Sequence, residues 1–263
     1  MINEFFSLMV RLRDLRIGFS PLSSIITKSL QKNGYYFINN FLTTNEIDLI
    51  NSEIKKVDKS YFQYFENDKR LFGAQYFSSY VNDLFSSPIL NLYASSYLGT
   101  EIVNQTSLYA NIRYNKESQH GSGGDWHRDS YTPQFKALIY LSDVSEDNGP
   151  FMYLKASHTY SSFTKVNNYL KRKTSQFNPK NCRYDSSTIE EMIRELDFPK
   201  KVFTGLKGSL ILADTRGIHT GMPLKSGSRK ALFNYYIPKK AFSGKSSIDI
   251  SDKLSNTKKS LGS

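Results

Sequence analysis

The sequence predicts a mainly β domain with helices packed outside it, and three observations lead there. From about residue 108 to residue 237, short β-branched or aromatic runs alternate with Gly, Pro, Asn and Asp, the texture of a barrel or a double sheet. Before residue 100, apolar residues recur at helical spacing behind capping signals. The chain has 263 residues, 39% hydrophobic and 14% aromatic. That is enough for one core without disulfides or a structural metal, and too apolar for a disordered chain. The single cysteine, Cys182, excludes an internal disulfide and any Cys-rich zinc site.

The elements follow in order. Phe5, Leu8, Met9, Leu12 and Leu15 recur near helical spacing, and Arg11, Arg13 and Arg16 interrupt them, so an amphipathic helix is expected rather than a secretory signal. Such a helix packs on the body of the protein, makes a homodimer contact or lies on anionic lipid. Residues 25–32 read as a helix ended at Asn33-Gly34, and residues 35–38 as a strand. Thr43 and Glu46 form a capping box, followed by a helix with Ile47, Ile50 and Ile54 inward. Residues 61–80 are aromatic without a clear period, and residues 89–98 are a further helix ended by Gly99. Strands are expected at 108–114, 134–141, 151–154, 208–213 and 231–237. Residues 161–200 are polar, with a helix at 189–196 opened by Ser187-Thr188-Ile189-Glu190. There is no internal repeat. One domain is expected over residues 1–240, with a helical part at 1–100 and a β core at 101–240, followed by a mobile Ser/Lys-rich tail at 241–263.

The chemistry centres on Trp126-His127-Arg128-Asp129. In an extended segment, residues i and i+2 point to one side, so His127 and Asp129 present an imidazole and a carboxylate to one point. A third ligand is needed, and His219 is the best placed, 92 residues downstream behind an apolar strand. Two histidines and one carboxylate with open positions form the facial triad of non-haem Fe(II) oxygenases. Taken alone, His127 reads equally as a hydrogen-bonded loop histidine. Arg229 enters a strand from a turn, where its planar fork suits a carboxylate better than lysine does; the alternative is a surface arginine beside Lys230. Alternation puts Tyr109, Asn111 and Arg113 on one face of their strand, and Gln134, Lys136, Leu138 and Tyr140 on one face of theirs. Lys136 either points into the cavity toward an anion or guards an edge strand. Arg70 and Gln75 are expected to close the mouth from the helical side.

The runs WHRDS, ALIYLSDVSEDNGPFMYLKASH and GSLILADTRGIHTG, with SRKAL after them, resemble the phytanoyl-CoA dioxygenase family of Fe(II)/2-oxoglutarate oxygenases, over residues 34 to about 238. The resemblance implies a double-stranded β-helix (jelly-roll, cupin-like) core. It implies His127, Asp129 and His219 as iron ligands and Arg229 as the holder of the distal carboxylate of 2-oxoglutarate. It makes Asn111 and Tyr109 candidate co-substrate contacts, with Lys136, Gln134, Arg113, Arg70 and Gln75 left for the substrate. Fe(II), 2-oxoglutarate and O2 would serve hydroxylation of an unactivated C–H bond, with succinate and CO2 as co-products. Asn148-Gly149 matches the family's turn after the long strand. Ala156-Ser157-His158 matches its Gly-Ser-His with Ala for Gly, and His158 reads as structural. His120 reads as solvated. Related halogenases have a small residue where this chain keeps Asp129, which argues against halogenation.

The net charge of +11 suits a nucleic acid, a membrane surface or an acidic small substrate. No apolar run approaches the length of a membrane span, and no RNP, zinc-finger or helix-turn-helix signature is present. From residue 239 onward, six lysines face two aspartates, placing part of the charge in the tail. With Arg229, Lys136, Arg113 and Arg70 assigned to the cavity, the expected partner is a small anionic molecule, with no nucleic acid, in a cytoplasmic setting. The rivals are a non-catalytic jelly-roll binding protein and an oxygenase acting on a macromolecule.

Overall fold

In the computed structural model, residues 22–116, 124–173, 178 and 181–241 are described. The N-terminal amphipathic segment with its homodimer reading, His120, and residues 242–263 of the tail lie outside them.

Two antiparallel sheets carry the structure. The larger has the order β1-β10-β6-β12-β4-β3-β2 and the smaller β8-β5-β11-β7-β9. The larger sheet uses β1 (Tyr35–Ile38), β2 (Gln63–Phe65), β3 (Asp68–Phe72), β4 (Ile102–Arg113), β6 (Phe135–Tyr140), β10 (Leu210–Asp214) and β12 (Ser228–Pro238). The smaller uses β5 (Trp126–His127), β7 (Phe151–Leu154), β8 (Arg183–Tyr184), β9 (Lys200–Phe203) and β11 (His219–Gly221). This is the jelly-roll expected from the sequence.

Side-chain alternation sorts the core into layers. On the outer face of the large sheet, Phe135, Ala137, Ile139, Leu210, Leu212 and Leu232 meet Ile26, Leu30, Ile47, Ile50, Leu84 and Leu90. Those partners come from helices α1 (Leu22–Asn33), α2 (Thr44–Lys56), α3 (Ser79–Phe85) and α4 (Pro88–Leu98). On the small sheet, Trp126, Met152, Leu154 and Ile218 are covered by Val166, Tyr169, Ile189 and Met192. These come from α5 (Tyr160–Lys173) and α6 (Ser186–Leu196). Between the sheets lie Leu138, Tyr140, Phe151, Tyr153, Phe203, Ile211 and Ala231.

Local signals set most boundaries. The capping box at α2 forms in both directions: the Thr43 N–H donates to Glu46 Oε2 at 2.7 Å and the Glu46 N–H to Thr43 Oγ1 at 3.3 Å. Gly34 ends α1 at φ 88°. α6 starts earlier than expected because the Asp185 carboxylate accepts the Thr188 N–H at 2.7 Å and so takes the cap before the Ser187 run begins.

Residues 61–80 contain a hairpin, β2–β3, docked beside β4. Its strands are too short for alternation to show, and Glu66 makes the tight turn at φ 28°. β4 begins at Ile102, earlier than expected, because its first half is polar; Ser107 Oγ donates to Asn234 Oδ1 at 2.5 Å inside the sheet. Among the described residues, no helix is long and apolar enough to cross a membrane.

Gly208 sits at φ +89°, and a Cβ there would overlap the Leu42 carbonyl oxygen. Gly208→Ala is therefore expected to destabilise the fold by about 2 kcal/mol or more, read as a lower urea midpoint.

Candidate metal centre

β5 and β11 pair so that His127 and His219 lie directly opposite. Asp129 follows two residues later, its N–H donating to Thr215 O at 2.9 Å. Asp129 Oδ1 lies 3.6 Å from Nε2 of each histidine, and the two imidazole centroids are 4.4 Å apart. One ligand atom from each of the three residues falls within 4.8 Å of the others. Each Nδ1 faces a backbone carbonyl, Asp125 O at 2.6 Å for His127 and Gly217 O at 2.9 Å for His219. A carbonyl only accepts, so both protons sit on Nδ1 and both Nε2 lone pairs are turned to the common point.

The electrostatics agree with a cation site. Burial, helped by neighbouring His127, pushes His219 down to about 4, so its imidazole is neutral and able to ligate. Burial acts to raise Asp129, but the Lys136 ammonium outweighs it and holds the carboxylate well below its ordinary value. Lys136 Nζ lies 2.7 Å from Asp129 Oδ2. Burial works against its charge, yet Asp129 holds the ammonium above its ordinary pKa. Two imidazoles and one carboxylate, open on the cavity side, suit a first-row divalent ion.

The sequence reading passed over the residues that hold these ligands in place. Arg128, between His127 and Asp129, must point the other way. Its guanidinium is buried, donating to Ser157 O at 2.6 Å, to Tyr184 Oη at 3.1 Å and to Arg216 O, and lies 4.6 Å from the Phe163 ring centre. It thereby ties β5 to the turn that leads into His219. Asp214, also fully buried, accepts from Tyr97 Oη at 2.5 Å and from Arg216 Nη2 at 2.5 Å. Burial, with the Asp214 charge, pushes the Tyr97 phenol far above its ordinary value, so it remains a donor. A Cβ at Gly217 would overlap the Tyr153 hydroxyl, which itself donates to Asp214 O at 2.7 Å. The signals for this network were the invariable alternation around Arg128 and the Asp-Thr-Arg-Gly run before His219. His158 is buried away from the triad against Gly34, and burial lowers its pKa.

The triad opens into a cavity of about 830 Å³ between the sheets. Lys136, Gln134, Arg70 and Arg229 line it. Arg229 is buried, donates from Nη1 to Gly149 O, and passes over Gly221, where a Cβ would stand 3.0 Å from Nη2. Burial lowers its pKa from the ordinary arginine value. Among the described residues, no carboxylate forms an ion pair with it. Gln134 Oε1 accepts from Thr215 Oγ1 at 2.7 Å, and Arg70 Nε donates to Asp68 Oδ2 at 2.7 Å. β6 runs between β10 and β12, so the edge-strand reading of Lys136 fails and the cavity reading stands.

Other expected site residues do not reach the cavity. Directly opposed residues share a face, and Ile112 opposes Arg229 while Ala110 opposes Ala231. The cavity wall of β4 is thus Leu108, Ala110 and Ile112. Tyr109 opposes Leu232 and Asn111 opposes Lys230, so both turn to the other face, as does Arg113. Tyr109 packs edge-on to Phe62. The alternation was right, but its polar face is the outer one, because this wall of the jelly roll is apolar. Gln75 instead accepts the Ser107 N–H at 2.9 Å, closing the β4 edge where β3 has ended.

Comparison with known proteins agrees with this architecture. No curated protein matches the sequence. Among solved structures, the chain resembles the epimerase SnoN in complex with Fe3+, alpha ketoglutarate and nogalamycin RO, at 14% identity and TM-score 0.62, covering 82% of this chain and 84% of that one. It also resembles HygX from Streptomyces hygroscopicus with nickel, 2-oxoglutarate and hygromycin B bound, at 17% identity and TM-score 0.57, covering 82% and 87%. EctD from S. alaskensis with bound Fe is similar at 16% identity and TM-score 0.62, covering 84% and 78%. These likenesses show the fold. The phytanoyl-CoA dioxygenase family profile matches residues 30–231, a span that contains the His127–Asp129–His219 cluster and Arg229, and the chain belongs to this family of Fe(II)/2-oxoglutarate-dependent oxygenases.

Proposed function

We propose that this protein is a 2-oxoglutarate-dependent hydroxylase of a small, anionic molecule, with iron(II) held by His127, Asp129 and His219. The observation that carries it is the convergence of the three ligand atoms within 4.8 Å at a cavity that also holds a buried arginine. When bound, iron(II) with 2-oxoglutarate and O2 supplies the oxidising chemistry, leaving succinate and CO2. The protein's own residues bind, orient and exclude water. Arg229 takes the far carboxylate of 2-oxoglutarate on its planar fork. Leu138, Phe151, Leu224 and Ile112 keep that end of the cavity apolar. The Nδ1–H donations to Asp125 and Gly217 keep both imidazoles oriented. The retained Asp129 favours hydroxylation over halogenation. The small-molecule reading is supported by neighbours whose structures hold nogalamycin RO or hygromycin B.

Anaerobic addition of iron(II) and 2-oxoglutarate should produce a weak visible charge-transfer band. If His127→Ala keeps that band and the basal succinate formation of the native protein, the assignment is wrong. Arg229→Met should raise the KM for 2-oxoglutarate by about a hundredfold, the scale of a lost charge-assisted pair, while Arg229→Lys recovers only part of it. A KM unchanged in Arg229→Met would place the co-substrate elsewhere.

A further inference from the structure

Among the described residues, Lys136 is the only buried lysine. It lies on a central strand, so its ammonium has no route to solvent along a sheet edge. Nζ is 2.7 Å from Asp129 Oδ2 and 4.6 Å from the ring centre of Tyr235. Asp129 meanwhile turns Oδ1 to the two histidines, 3.6 Å from each. The lysine therefore faces the same cavity as the triad and sits directly behind one of its ligands.

The charges at a loaded centre then decide what the cavity wants. A divalent ion on the triad is reduced to a single positive charge by Asp129. A co-substrate dianion makes that negative by one, and Arg229 restores neutrality. Lys136 remains, one positive charge over. The other cations nearby are accounted for: Arg70 is paired with Asp68, Arg183 is exposed, and Arg128 turns its guanidinium into backbone carbonyls and the Phe163 ring. A buried cluster left with one net positive charge is costly.

We propose that the substrate supplies that counter-charge, through an anionic group, a carboxylate or a phosphoester, seated on Lys136 beside the Tyr235 ring. The inference rests on the hydroxylase reading of the site and narrows its substrate class. The rest of the molecule lies on the apolar shelf of Phe72, Leu108 and Phe233. Because Lys136 touches a ligand of the triad, an anion held there is close to the metal position. The carbon that is oxidised therefore lies near the charged group rather than at the far end of the molecule.

The test uses the full chain loaded with nickel(II) and saturating 2-oxoglutarate, which binds without turnover. Benzoate, phenyl phosphate and the neutral isostere benzamide are titrated by calorimetry. Benzoate or phenyl phosphate should bind about tenfold or more tightly than benzamide, the scale of a hydrogen bond to a charged group. The tighter of the two anions tells carboxylate from phosphoester. Lys136→Met should remove the preference and Lys136→Arg should keep it. Equal binding of benzamide and both anions by the native protein overturns the proposal, and that comparison needs no variant. A folded Lys136→Met that keeps the preference also overturns it. Failure of nickel and 2-oxoglutarate to bind the native protein at all defeats the hydroxylase reading and this inference together, whereas their binding without anion preference defeats this inference alone.

Discussion

His219→Ala is expected to lower affinity for a divalent ion by more than about a hundredfold and to abolish 2-oxoglutarate turnover. Changes confined to groups that merely orient a ligand cost about 10- to 100-fold in metal affinity, and removing a ligand outright exceeds that. His219 is the most enclosed of the three, with 3% side-chain exposure. Its ring stacks on Tyr153 at 14° between planes and lies 5.4 Å from Phe151, so it cannot be replaced by a shift of the strand. Without it, His127 and Asp129 offer two ligands on one short segment, which do not enclose an ion. Chelator competition on the purified protein measures the affinity, and a circular dichroism melt reports whether the fold survives. A folded His219→Ala protein that takes up iron(II) like the native chain would remove His219 from the centre.

Asp214→Ala should be the most destabilising single change in the site region, by about 3–5 kcal/mol, as expected when one partner of a buried ion pair is removed. The carboxylate is fully buried and accepts from Tyr97 Oη, from the Arg216 backbone N–H at 2.9 Å and from the Arg216 guanidinium. Its removal strands Arg216, which is only partly exposed. The damage should spread to the metal ligands, because Arg216 O accepts from Arg128 and the chain reaches His219 three residues later. Asp214→Asn, whose one carbonyl oxygen can keep either the Tyr97 bond or the Arg216 backbone bond but not both, should cost less than Asp214→Ala. Urea unfolding gives the stability, and chelator competition on the folded fraction gives the coupling to the centre. A loss below about 1 kcal/mol would mean that the network contributes little.

Two members of the triad were legible because their geometry is local. His127 and Asp129 are two residues apart in an extended segment, and that spacing alone puts them on one side. His219 was found from its position behind an apolar strand, and the pairing of β5 with β11 set it opposite His127. Helix ends were legible for the same reason: the Thr43–Glu46 box and the Asn33-Gly34 stop act over a few residues. The β2–β3 hairpin escaped because its strands are too short for alternation to show, and the polar start of β4 because its hydrogen bonds go to a distant strand, as from Ser107 to Asn234.

Which face of a strand looks inward is a different kind of question. For β6, the alternation that groups Gln134, Lys136 and Leu138 points into the cavity. For β4, the equally regular alternation of Tyr109, Asn111 and Arg113 points out of it. Nothing in a period of two distinguishes these cases. Only the register against β12, with Ile112 opposite Arg229, decides it. The sequence by itself thus determined the jelly-roll class, the triad and the arginine in the strand after it, since each rests on short-range spacing or on recognisable runs. The tertiary structure decided which polar residues share the cavity with them. It placed Lys136 on Asp129 and withdrew Asn111, because facing is set by partners on strands distant in the chain and not by sequence neighbours.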